Sequence, residues 1–173
     1  MDLRDYIEDI PDYPREGIVF RDVTPLLLHA EALKRAVSLL SDYATPLEVD
    51  FVVSAEARGF MLGGAVAAQI GAGFIPARKP GKLPREVNSV EYVLEYGVDA
   101  LEMHKDALAG GARVLVHDDL LATGGTARAL CELVSQAGAV VAGCGFIVEL
   151  SFLDGRARIA PHDVHSLIVY DEE

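Results

Sequence analysis

Five short apolar runs punctuate the chain: Phe51–Ser54, Phe74–Ala77, Arg113–His117, Val140–Leu150 and Ser166–Tyr170. They are rich in Val and Ile and do not alternate strictly, as parallel strands buried on both faces read. Apolar residues recur at helical spacing in Leu3–Ile10, Ala32–Tyr43, Phe60–Ile70 and Ala127–Gln136. Gly71 and Gly138 follow the last two of these, where helices end on glycine. The alternation predicts one α/β domain over residues 1–173, a mostly parallel sheet flanked by helices with right-handed crossovers. Ligands of such sheets bind beyond the carboxyl ends of the strands, so Ser54 and His117, each ending a run, point to a site.

The stretch Pro80–Ala100 breaks this rhythm. It holds Pro80, Gly81, Pro84 and Gly97 around the alternating E-Y-V-L-E-Y-G. It is too long for a tight connection, and the expectation is a mobile hairpin serving as an active-site lid.

Charge sharpens the picture. The chain has 173 residues and a formal net charge of −12, which argues against nucleic acid or an anionic membrane as a partner. The positive charge is nevertheless local. From Ser54 to Arg85 stand Arg58, Arg78, Lys79, Lys82 and Arg85 against the single acid Glu56, a net of +4, leaving −16 elsewhere. A local anion site needs such a window; a solvated basic loop is the plainer alternative. The opening M-D-L-R-D-Y-I-E-D-I is acidic and has no signal-peptide core, so a cytoplasmic location is expected. Cys131 and Cys144 lack C-x-x-C spacing and read as buried core thiols. No cluster has metal-ligand spacing, so a metal would arrive with a substrate.

The candidate chemistry concentrates in V-L-V-H-D-D-L-L-A-T-G-G-T, Val114–Thr126. An apolar run ends in the adjacent carboxylates Asp118 and Asp119, and three residues later Thr123, Gly124, Gly125 and Thr126 lead into a helix. Glycines let the backbone approach an anion, and a helix start offers unpaired N–H groups and the positive dipole end. Two adjacent acids near a buried sheet are costly unless they bind something. Carboxylates for ribose hydroxyls beside a cradle for phosphate suit a sugar phosphate. The other common phosphate motifs, G-x-x-x-x-G-K-[ST] and G-x-G-x-x-G, are absent from the chain.

This motif resembles the phosphoribosyl pyrophosphate (PRPP) motif of the type I phosphoribosyltransferases. Ile10–Pro25 (I-P-D-Y-P-R-E-G-I-V-F-R-D-V-T-P), Glu56–Phe60 (E-A-R-G-F), Arg78–Pro84 (R-K-P-G-K-L-P), Leu94–Gly97 (L-E-Y-G) and His104–Leu108 (H-K-D-A-L) extend the resemblance in the family's order. They narrow it to members that take adenine. The resemblance implies the type I phosphoribosyltransferase fold, with an N-terminal hood over about 1–30 and a flexible catalytic loop over about 83–103. It implies transfer of the 5-phosphoribosyl group of PRPP to adenine, giving AMP and pyrophosphate with Mg²⁺, by a cytoplasmic homodimer.

The same resemblance distributes the roles. Asp118, Asp119, Ala122, Thr123, Gly124, Gly125 and Thr126 hold the phosphate and ribose of PRPP or AMP. Arg58, Gly59, Arg78, Lys79 and Lys82 hold pyrophosphate, although Arg58 alone also reads as a surface partner of Glu56. Val19, Phe20 and Arg21 bind adenine, Phe20 by stacking and its neighbours through main-chain groups, although an apolar pair alone reads as core. Glu95 is the catalytic acid/base near N7 of adenine, with Asp118 beside the reacting carbon. Glu56–Ala57 is where the family often places a non-proline cis peptide. The chain departs from the family at His117, where an aliphatic residue is usual and packing is expected. It departs again at Arg85–Glu86, where glycine is common. A sister enzyme for another base, or a PRPP-sensing regulator without catalysis, are the alternatives. The absence of lysine after Lys105 disfavours the first, and the acidic chain with no DNA-binding module disfavours the second.

Overall fold

The computed structural model describes residues 1–93 and 97–173. Its centre is a five-stranded, all-parallel sheet built from β3 (Phe51–Ala55), β4 (Gly73–Ala77), β7 (Arg113–Leu121), β8 (Val140–Leu150) and β9 (Val164–Tyr170). The spatial order is β4-β3-β7-β8-β9. Successive residues face opposite sides: Val53, Val116 and Phe146 join one core cluster, and Val52, Leu115 and Ile147 join the other. Both faces are therefore dry, which is why these strands read as continuous apolar runs. Helices α2 (Ala30–Ala44) and α3 (Arg58–Ile70) cover one face, and α4 (Gly125–Gln136) covers the other.

The expected hairpin is present. β5 (Val87–Val93) and β6 (Val98–His104) pair antiparallel, and their root residues Val90, Leu101 and Met103 are buried against the α4 side of the core. Arg78 bridges Glu102 through paired backbone bonds, tying the basic segment to β6.

Two expectations are corrected. Leu3–Ile10 is not a helix: a 3-10 turn at Leu3–Tyr6 is followed by β1 (Glu8–Pro11), which pairs antiparallel with β2 (Val19–Asp22). A helix this short has little stability of its own, and the cross-strand pairing wins. A further helix, α1 (Thr24–Leu28), follows β2. The second correction concerns His117, which does not end its strand. β7 runs on to Leu121, with Asp118 and Asp119 inside it. The pairing partner changes instead: β3 leaves β7 after the Ser54–His117 pair, while β8 follows it to Leu121–Glu149. One edge of β7 is thus freed at the two aspartates, and α3 begins in the space vacated.

Candidate active site

Asp118 and Asp119 occupy that free edge and differ in surroundings. Asp119 is nearly buried and accepts from Arg58 Nε at 2.5 Å. Burial pushes the Asp118 carboxyl well above its ordinary pKa, and the neighbouring Asp119 charge adds to the shift. The pKa of the Arg58 guanidinium is also raised: its own burial opposes the charge, but Asp119 and then Asp118 overcome it. Arg58 opens α3, and the next residue must be small. A Cβ on Gly59 would lie 2.8 Å from Asp118 Oδ1, so glycine lets the helix start close upon the aspartate.

The turn Ala122–Gly124 connects β7 to α4. Gly124 caps α4 in the left-handed region at φ +84, and the first helical bond runs from Arg128 N to Gly124 O at 2.9 Å. N–H groups of the first turn therefore lack helical acceptors, and no acid stands in that turn to fill their place. A cavity of about 170 Å³ opens over Asp118–Ala127, with Arg58 on its wall.

A second cavity, of about 320 Å³, shares Arg58, Asp118, Asp119 and Thr126 with the first and extends to Glu56, Lys79 and Tyr92. Glu56 is its organising group. Its carboxylate accepts from Lys79 N at 2.5 Å, Lys82 Nζ at 2.9 Å and Arg78 Nη2 at 3.1 Å. Burial works against its charge, yet the Lys79 N–H, then Lys82 and Arg78, hold its pKa at about 2. Lys79 Nζ pairs with Asp99 and lies 3.2 Å from Tyr92 Oη. The alternative Arg58–Glu56 pair does not form: Arg58 pairs with Asp119, and Glu56 with Arg78 and Lys82. The Glu56–Ala57 peptide is cis.

The structure brings β2 to the same place. The Phe20 ring lies 5.4 Å from the Arg58 guanidinium carbon and meets Tyr13 edge-on at 5.3 Å. The Arg21 side chain turns away, pairing with Asp9 and stacking over Tyr170 at 4.2 Å, which leaves its main chain for recognition. Val19 pairs with Pro11 across the hood hairpin. Glu95 lies outside the described residues. Among the described residues no three His, Cys, Asp or Glu side chains cluster as a metal site, so Asp118 and Asp119 offer hard oxygen donors but not a full shell. No helix among them is long and apolar enough to cross a membrane.

Sequence reasoning missed Asp99 and Tyr92, which carry no motif, and the hub role of Glu56. The charge window, with one acid amid five cations, held the signal for the last.

Fold and site are those of a phosphoribosyltransferase. The phosphoribosyl transferase domain family matches residues 26–170. The adenine phosphoribosyltransferase of Rubrobacter xylanophilus is 56% identical over 171 residues, covering 98% of this chain and 92% of that one. Its counterpart from a Thermotoga species is 52% identical over 170 residues, covering 98% and 100%. The crystal structure of adenine phosphoribosyltransferase from Thermoanaerobacter pseudethanolicus superposes with a TM-score of 0.94 at 46% identity, covering 97% of this chain and 98% of that one. The chain belongs to the type I phosphoribosyltransferase family, among its adenine phosphoribosyltransferases, which convert PRPP and adenine to AMP and pyrophosphate.

Proposed function

We propose that the two connected cavities hold the two ends of PRPP, with adenine entering beside Phe20. The observation that carries this reading is the convergence of Asp118, Asp119, Arg58 and Thr126 on the walls of both cavities, with the Gly124 turn lining the first. The turn from Ala122 through Thr123, Gly124, Gly125 and Thr126 takes the 5-phosphate on its N–H groups. Asp118 and Asp119 take the ribose hydroxyls. Arg58, the N–H of Gly59, and the cations Arg78, Lys79 and Lys82 take the pyrophosphate. Val19 and Arg21 read the base edge through their main chain, and Phe20 stacks on its face.

Mg²⁺ would arrive bound to the substrate, beside Asp118 and Asp119, which offer hard oxygen donors but no full shell, and would supply charge neutralisation on the pyrophosphate. As the C1′–oxygen bond breaks, the electron pair leaves with pyrophosphate and Arg58 stabilises the departing charge. Positive charge grows on the ribose, and the Asp118 and Asp119 carboxylates beside it favour that state. N9 of adenine bonds to C1′, and the proton carried on N7 passes to Glu95. Positioning and fixed charge supply the rate, with no covalent enzyme intermediate. In this reading residues 1–173 form one domain, the segment over about 1–30 is the hood, and the loop over about 83–103 closes as the lid. The enzyme works as a cytoplasmic homodimer, and its two free, buried thiols suit a reducing compartment.

A product assay with adenine, hypoxanthine, guanine, xanthine and orotate tests this reading. AMP forms from adenine with PRPP and Mg²⁺, the other bases stay unchanged, and a chelator abolishes the product. A nucleotide formed from another base in preference to adenine overturns the base assignment. Full turnover in the chelator overturns the metal.

A further inference from the structure

We propose that Gly155, which opens the short helix Gly155–Arg158 after β8, is a positioning residue for the phosphate turn and sets the enzyme's hold on the 5-phosphate end of its substrate. This rests on the reading of Ala122–Thr126 as the phosphate grip. The two segments lie about thirty residues apart in sequence and meet backbone to backbone. A Cβ on Gly155 would stand 2.4 Å from Ala122 O and 3.0 Å from Leu121 Cδ1. From the other side, a Cβ on Gly124 would stand 2.6 Å from Gly155 O and 3.2 Å from Gly155 Cα. Non-bonded atoms do not approach so closely, and the obstacle on each side is backbone rather than a side chain that can swing away. Gly155 is buried and has no left-handed φ, so contact alone requires glycine there.

The turn that presents Gly155 is fastened to the sheet. Arg156 donates to both oxygens of Glu149, at 2.6 and 2.8 Å, and to Val164 O at 3.0 Å. Ser151 Oγ donates to Asp171 Oδ1 at 2.6 Å and lies 3.1 Å from Tyr170 O. On the far side Ile159 is buried in the core. Glu149 is itself buried on β8, opposite Leu121 of β7. The ends of β8 and β9 thus hold a rigid stop against the carbonyl of Ala122 and the α-carbon of Gly124. Phosphate recognition by backbone N–H groups demands placement within about 0.5 Å, and loops alone rarely hold that precision. The stop supplies it, while the pyrophosphate cations are held by other groups, Arg58 by Asp119, Arg78 and Lys82 by Glu56, and Lys79 by Asp99.

The test measures the two ends of the substrate separately, by calorimetry with ribose 5-phosphate and with magnesium pyrophosphate. In Gly155→Ala, ribose 5-phosphate binding weakens at least tenfold, pyrophosphate binding stays within twofold, and KM for PRPP rises while KM for adenine does not. Arg156→Lys adds no atom to the contact and replaces the bidentate grip with a single point. It weakens ribose 5-phosphate about threefold and leaves pyrophosphate unchanged, and it carries the test if the alanine variant does not fold. Unchanged ribose 5-phosphate affinity in the folded variants, or equal losses at both ends, overturns the proposal. A wild-type enzyme that binds no ribose 5-phosphate overturns the phosphate-grip reading itself, and the role of Gly155 with it.

Discussion

The two regions proposed to hold the anionic ends of the substrate work by opposite means. The turn before α4 offers backbone N–H groups and a helix dipole, with a glycine cap at φ +84 and no cation in the turn itself. The region around Glu56 offers side-chain cations, and the contacts place every one against a carboxylate: Arg58 on Asp119, Arg78 and Lys82 on Glu56, Lys79 on Asp99. The first region is fixed and needs only its ligand. The second would have to exchange partners to take pyrophosphate, so its attraction would be reduced by the ion pairs given up. In the proposed reading the group that stays on the sugar meets rigid dipoles, and the group that leaves meets cations that already have carboxylates to return to. Such an arrangement favours release of pyrophosphate after the bond has broken.

The largest test of the contrast is Gly124→Ala. It forces a Cβ onto a left-handed residue and into the Gly155 carbonyl, and kcat/KM for PRPP falls about a hundredfold in steady-state assays. Because the fixed region binds through dipoles, added KCl does not change that ratio between variant and wild type. Arg58→Ala comes next, with about a tenfold loss in kcat/KM, since a nearly buried Asp119 loses its partner as well. Lys82→Ala is milder, about two- to threefold, because its ammonium is half exposed and already shared with Glu56. The variant also shows a shallower rise of KM for PRPP with ionic strength, as a screened surface cation requires. A Lys82 effect larger than the Gly124 effect would reverse the assignment of the two regions.

The smallest effect on turnover comes from a residue beneath both regions. His117 is buried, with Nδ1 at 2.9 Å from Gly145 O, and burial pushes its pKa down to about 4 against the helping carbonyl. The unfolded chain takes up this proton below about pH 6.5, whereas the folded chain resists until about 4. The neutral ring thus contributes stability above pH 6.5 that is lost between 6.5 and 4, about 3 kcal/mol in all. His117→Leu flattens Tm over that window and leaves kinetic constants at pH 8 unchanged. Glu56 acts lower: its depressed pKa contributes stability that disappears as pH falls from about 4.5 towards 2, so both proteins share that final decline.

The two regions also differed in how openly the chain displays them. The phosphate turn is contiguous: carboxylates, spacer and glycines sit within Asp118–Thr126, so residue order alone conveys the chemistry. The parallel sheet was equally open, because strands dry on both faces leave unbroken apolar runs. What stayed hidden depends on contacts between distant segments. The charge window around Glu56 hints at an anchor without naming Arg78 and Lys82 as its partners, and nothing local marks Gly155 as the stop beneath Gly124. Nor could local pattern tell that Asp118 lies within β7, because the strand continues on β8 after β3 has left. The misread helix at Leu3–Ile10 has the same origin, a periodicity overruled by pairing with β2. His117, expected to pack, does pack, and its Nε2 is buried without a hydrogen-bond partner among the described residues.

The most direct measurement is a crystal structure of the enzyme soaked with PRPP and Mg²⁺ in the absence of adenine. The account predicts the 5-phosphate within hydrogen-bond reach of the N–H groups of Thr123–Thr126. It also predicts the ribose hydroxyls on Asp118 and Asp119, and the pyrophosphate against Arg58 with Lys82 released from Glu56. Density showing the 5-phosphate among Arg78–Lys82 and the pyrophosphate on the glycine turn would contradict it.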